Sequence, residues 1–139
     1  MRLTRYTDYA IRVLIYLGSR TEGLGSIREA AKAFKISENH LMKVVQDLAA
    51  AGFIQALRGR NGGIRLARPA EHINLGAVLR RTEGLDELLE CSTCLVARAC
   101  GLPPILAEAT SAFVSVFDKY TVEDLVHRRT ELRAILTPA

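Results

Sequence analysis

Four short signals between Ser26 and Gly63 constrain the fold of this chain more tightly than anything else in it. Ser26-Ile-Arg-Glu29 reads as a capping box, in which the Ser26 hydroxyl accepts from the Glu29 amide and the Glu29 side chain reaches back. It opens a short helix over 27–34. Lys35-Ile36 make a tight turn, Ser37 caps a second helix running to about Ala51, and Gly52 stops it. Leu41, Val44, Val45 and Leu48 form the apolar stripe of that helix. Segments 53–57 and 64–67 read as two strands around Arg58-Gly-Arg-Asn-Gly-Gly63. Asn61-Gly62 predicts a hairpin whose two turn residues both take positive φ. Two short helices, a brief turn and a basic-tipped hairpin together predict a winged helix.

The flanks complete a mainly α chain with one small β-hairpin, a winged helix-turn-helix followed by a long C-terminal dimerisation helix. Tyr6, Tyr9, Ala10, Val13, Leu14 and Leu17 recur at helical spacing and predict a helix over roughly 5–20. After Pro69 the spacing predicts a helix over 73–81 that ends near Gly84, then a further turn over 85–90. Pro103-Pro104 lead into a long helix, about 104–119. Its apolar face is Ile105, Leu106, Ala109, Ala112, Phe113, Val116 and Phe117. A small winged helix has little surface to cover so wide a stripe, whereas the same helix of a second copy supplies the missing burial. It also gives the two-fold symmetry that a palindromic operator requires. Thr121 with Asp124 opens a last helix reaching about Leu136. The expected organisation is a DNA-binding unit over 1–70, a connecting helix and cysteine-rich loop over 71–101, and dimerisation and C-terminal helices over 102–139.

Charge separates the two halves of the chain. Residues 1–70 carry twelve Lys/Arg against five Asp/Glu, or +7, and residues 71–139 carry seven against ten, or −3. A basic first half suits a polyanionic partner. No run of about 18 apolar residues exists to span a membrane, and the charged start Met1-Arg-Leu-Thr-Arg5 lacks the apolar centre of an export signal. A cytoplasmic protein is expected. No paired acid and base constellation points to an enzyme.

The partner is double-stranded DNA on this reading. Arg58, Arg60 and Arg65, with Asn61, lie on or beside the wing, where arginines suit phosphate contact or a narrow minor groove. Ser37, Glu38, Asn39, His40 and Lys43 occupy the start of the recognition helix, where base edges are reached.

All three cysteines of the chain, Cys91, Cys94 and Cys100, fall within one ten-residue stretch. Three thiolates near one point make most of a soft-metal or iron–sulfur site and leave one ligand to come from elsewhere. The other readings are apolar-like thiols, a redox C-x-x-C pair, and a structural zinc site. Zinc would want a fourth cysteine or histidine nearby, and His72 and His127 are distant in sequence. An iron–sulfur cluster, [4Fe-4S] or [2Fe-2S], with a non-cysteine fourth ligand fits better.

These motifs, in this order, resemble a known family. The opening Met1-Arg-Leu-Thr-Arg-Tyr-Thr-Asp-Tyr-Ala10, the segment Ile36-Ser-Glu-Asn-His-Leu-Met-Lys-Val-Val45 and the stretch Leu57-Arg-Gly-Arg-Asn-Gly-Gly-Ile-Arg-Leu-Ala-Arg-Pro69 are similar to the winged-helix Fe–S regulators that include IscR, RirA and NsrR. The likeness runs to Phe117-Asp-Lys-Tyr-Thr-Val-Glu-Asp-Leu125. It implies a homodimeric transcription factor whose cysteines hold a cluster. In IscR-like members a histidine three positions after the last cysteine completes the site, and here that position is Pro103. In NsrR-like members, which sense nitric oxide, the fourth ligand is an aspartate of the first helix of the other subunit, and Asp8 stands at the matching place. Asp8 also has a simpler role as a carboxylate favoured by the helix dipole. The resemblance thus implies a repressor with a [4Fe-4S] cluster responsive to nitric oxide; iron supply or redox state is the alternative signal, and a zinc-stabilised module without sensing the alternative role. One departure stands out: the first cysteine gap here is two residues, shorter than the family's usual spacing.

Overall fold

The computed structural model describes residues 1–85 and 88–137. Among the described residues, seven helices and one hairpin follow in order: α1 Arg5–Ser19, α2 Ile27–Phe34, α3 Glu38–Ala50, β1 Ile54–Leu57, β2 Gly63–Leu66, α4 Leu75–Thr82, α5 Leu102–Phe117, α6 Val122–Val126 and α7 Arg129–Leu136. A single 3-10 turn, Ala70–His72, joins the hairpin to α4. The winged-helix architecture is therefore the one expected. Among the described residues no helix is long and apolar enough to cross a membrane.

One apolar core is built from both ends of the chain. Val13, Leu14 and Tyr16 of α1, Leu41 and Leu48 of α3, and Val122 and Val126 of α6 are fully enclosed. Burying each leucine of this kind contributes roughly 1.5–3 kcal/mol. The stripe of α3 lies inward as its spacing requires, so its polar start is left outside. α1 is the central element, with α2, α3 and the hairpin against one side and α6 and α7 against another.

Local details differ from the sequence reading for identifiable reasons. Ser26 does cap α2, accepting from the Glu29 amide at 3.3 Å, but Glu29 does not reach back. The Tyr16 hydroxyl takes that place, accepting from the Ser26 amide at 3.0 Å and donating to Glu29 Oε2 at 2.8 Å. The turn after α2 is made by Lys35 in the left-handed region, φ 57° and ψ 46°. Asn61 and Gly62 do not carry the positive φ; Gly59 does, at 105°. The loop is wider than a two-residue turn and closes through Gly62 N–H to Gly59 O at 3.0 Å. Gly62 is needed for proximity instead, because a Cβ there would stand 2.1 Å from the Leu57 carbonyl oxygen. Strand pairing runs from Ile54 opposite Leu66 to Leu57 opposite Gly63. Gly25 adds a further rung, exchanging hydrogen bonds with Ile64 at 2.7 and 3.0 Å.

Asn74, not Ile73, starts α4 by accepting from the Ala77 amide at 2.9 Å. The further turn expected over 85–90 includes residues 86 and 87, which lie outside the described residues. The last helix is two helices, broken where Arg128 leaves helical geometry at φ −93° and ψ 51°. The break lets both halves lie on α1. The capping box of Thr121 and Asp124 is present, with the Thr121 amide donating to Asp124 Oδ2 at 2.8 Å.

Candidate functional site

The start of α3 and the tip of the hairpin are both exposed, and the hairpin tip carries Arg58 and Arg60. Ser37 caps α3, its hydroxyl accepting from the His40 amide at 3.5 Å. Glu38 lies 3.9 Å from Arg28 of α2, which ties the two helices at their exposed ends. Asn39, His40 and Lys43 are exposed and point from the outer side of α3. Met42, 39% exposed, joins them, an apolar residue the sequence reading did not single out. On the wing Arg58, Arg60 and Asn61 are exposed. Arg65 is held differently: its Nε donates to Gln55 Oε1 across the strand pair at 2.8 Å, so it is a strut of the hairpin as well as a surface cation.

A second group of polar residues, not apparent from the sequence, joins α1, α3 and α4. Arg81 at the end of α4 donates to Asp47 Oδ1 of α3 from Nε at 3.0 Å and from Nη2 at 2.6 Å. That hydrogen bonding holds the Asp47 carboxyl below its usual range. Tyr6 of α1 stands beside the same carboxylate, and burial, reinforced by Asp47, pushes its hydroxyl up to about 12. Glu83, just past α4, accepts from the Thr4 amide at 3.1 Å and from the Thr7 hydroxyl at 2.5 Å. More than 70 residues separate Glu83 from Thr4 and Thr7, and 34 separate Arg81 from Asp47, and no periodicity marks these pairs.

Asp8 lies in the first turn of α1. Its two oxygens accept from Arg12, one turn on, at 2.9 and 3.0 Å, and the side chain is 46% exposed.

The cysteine loop is a run of turns. The Cys94 amide donates to Cys91 O and the Ala97 amide to Cys94 O, each at 3.3 Å. Cys91 and Cys94 are exposed and Cys100 is partly covered. Cys100 Sγ accepts from the Leu102 amide at 3.4 Å, where α5 begins. Among the described residues no three Cys, His, Asp or Glu side chains are gathered into a ready-made ligand group. The donors nonetheless fit an iron–sulfur group by their chemistry: three soft thiol donors in one ten-residue loop of open turns, with a half-exposed carboxylate available on α1. Leu95 and Val96 in the same loop are 98% and 56% exposed.

α5 packs against α4 along one side, where Val114 is buried. Arg80 and Asp118 lock its far end with paired contacts of 2.7 Å. The other side stands open: Ile105 is 63% and Val116 49% exposed, and Ala109 and Ala112 are exposed between them. Leu106, Phe113 and Phe117 are partly covered, with the two phenyl rings 5.2 Å apart. Leu102, Ile105, Ala109, Ala112 and Val116 follow alternating three- and four-residue steps, the spacing of a helix-pairing seam.

Comparison with known proteins agrees with this architecture. A family model described as Rrf2, iron-dependent transcriptional regulator, matches residues 3–128. The HTH-type transcriptional regulator NsrR of Bacillus licheniformis is 42% identical over 143 residues, covering 99% of this chain and 100% of that protein. The regulator of the same name from Geobacillus kaustophilus is 46% identical over 142 residues, covering 98% and 97%. Among solved structures, CymR, the global cysteine regulator of B. subtilis, superposes with a TM-score of 0.71 at 25% identity, covering 92% of this chain and 98% of that one. T. potens IscR shares the fold with a TM-score of 0.73 at 22% identity, covering 92% and 88%.

Proposed function

The chain belongs to the Rrf2 family of transcriptional regulators, and from that premise we propose a homodimeric DNA-binding repressor that senses nitric oxide through a [4Fe-4S] cluster. The observation that carries this reading is the donor set, three thiols in one loop of open turns, together with a half-exposed carboxylate on α1. Cys91, Cys94 and Cys100 would hold the cluster, with Asp8 of a second copy as fourth ligand. When bound, the group supplies iron able to take nitric oxide as a ligand.

The chain's own residues do the rest. Arg12 orients Asp8 through two hydrogen bonds, and a carboxylate fixed in this way presents the same edge to whatever it meets. Ser37, Glu38, Asn39, His40 and Lys43 face the major groove on this reading, while Arg58, Arg60 and Asn61 meet phosphate or the minor groove. The open seam of α5 pairs with its copy, and Ala109 with Ala112 lets the two helices approach closely at mid-length. We divide the labour accordingly: residues 1–70 read DNA, 71–101 carry the cluster, and 102–139 join the subunits, with α6 and α7 also bracing α1.

Iron, sulfide and zinc analysis of anaerobically purified protein, with its visible spectrum, tests the cluster directly. Iron and sulfide with a coloured sample support the reading. Stoichiometric zinc in a colourless sample overturns it in favour of a zinc-stabilised module.

A further inference from the structure

The last turn of α4 is anchored in two directions just before the chain enters the cysteine loop. Arg81 reaches α3, where its Nε and Nη2 lie 3.0 and 2.6 Å from Asp47 Oδ1. Asp47 is one turn beyond Lys43 on the same helix, so what holds Asp47 holds the DNA-facing start of α3 in rotation. Glu83, two residues after Arg81, reaches the start of α1. Its carboxylate accepts from the Thr4 amide at 3.1 and 3.2 Å, the Thr4 hydroxyl at 3.1 Å and the Thr7 hydroxyl at 2.5 Å. Between them the buried Thr82 hydroxyl lies 2.9 Å from that of Thr7. Cys91 follows Glu83 by only eight residues.

We infer that Arg81 and Glu83 are positioning residues that pass the state of the cysteine loop to the recognition helix, Arg81 through Asp47 and Glu83 through the start of α1. This rests on the sensing function proposed above. Charge-assisted hydrogen bonds are short and directional, so they pass on a small displacement that an apolar contact would absorb by sliding. The Arg81 side chain is 45% exposed, so its pair with Asp47 adds little to stability. Its consequence is orientation. The Glu83 anchor ends at Thr4 and Thr7, next to Asp8 at the start of α1, and the Arg81 anchor ends at Asp47 of α3, with Tyr6 of α1 beside that carboxylate. A shift at the loop root therefore moves α1 and α3 together.

The test compares operator affinity of cluster-loaded and metal-free protein, using a duplex enriched from a randomised DNA pool by the wild-type protein. Wild type should differ between its two states by about 5–150-fold, the usual range of allosteric coupling. No difference in wild type overturns the sensing function itself. Given a difference, Arg81→Met and Asp47→Asn should each cut it to a fraction of the wild-type ratio, the part carried by Glu83, while the cluster spectrum and metal-free binding persist. The double variant should go no further than either alone, and Arg81→Lys should recover part. A wild-type ratio in Arg81→Met, or effects that add in the double variant, overturns the link alone. Glu83→Gln supplies a readout without metal: hydrogen exchange in metal-free protein should quicken at residues 4–8 and also at 38–43. Unchanged exchange at 38–43 overturns transmission through Glu83.

Discussion

Asp8 and Arg12 face each other one turn apart on α1, with both carboxylate oxygens accepting from the guanidinium at 2.9 and 3.0 Å. The residue proposed to serve a neighbouring subunit is thus already oriented by its own helix. An exposed pair of this spacing contributes about 0.3–0.5 kcal/mol, so Asp8→Ala should fold normally. Cluster retention is where the effect should fall, read as the rate of absorbance loss against an iron chelator under anaerobic conditions. Faster loss with an unchanged melting curve is expected, and wild-type retention would remove Asp8 from the site.

Tyr6 gives the fold an alkaline limit. Its folded value of about 12 lies above the ordinary 10.0, so its contribution is fully present below about pH 10. That contribution is lost as pH rises through about 12. Tyr16, likewise pushed up by burial, adds to the same limb. Urea unfolding of Tyr6→Phe should therefore show a shallower decline in stability from pH 9 to 12 than wild type. An identical decline would mean that Tyr6 ionises as freely folded as unfolded.

Arg60 sits exposed on the wing. Arg60→Ala should weaken DNA binding, and for a phosphate contact the slope of log K against log salt should fall by about one unit. Unchanged affinity would take the wing tip out of the interface.

The seam of α5 makes a prediction about assembly. Ile105, 63% exposed in the single subunit, lies near the start of the seam. A glutamate there would put a charge into the apolar seam of each subunit. Ile105→Glu should sediment as a monomer at concentrations where wild type is a dimer. A dimeric variant would show that this face is not the interface.

The first three helices, the Ser37 cap and the winged-helix order were legible because they depend on neighbours in sequence: Ser37 three residues before His40, or Leu41, Val44, Val45 and Leu48 on one stripe. The hairpin was legible in place but not in mechanism, since Gly62 serves closeness to Leu57 O and Gly59 carries the positive φ. Contacts that tie distant segments left no local trace. Nothing near Glu83 announces Thr4 and Thr7, and nothing near Arg81 announces Asp47. The cysteines were obvious as a cluster, yet the described fold leaves Cys91 and Cys94 exposed. In the proposed site, ligand geometry would depend on what fills the loop and on a second chain, and neither is written in local spacing.

The most direct measurement is an anaerobic titration of the cluster-loaded protein with nitric oxide, following visible absorbance and binding to the selected duplex in the same sample. The account predicts that absorbance changes and loss of DNA affinity proceed together over the same additions. DNA affinity that stays constant while the cluster absorbance is fully altered would contradict it.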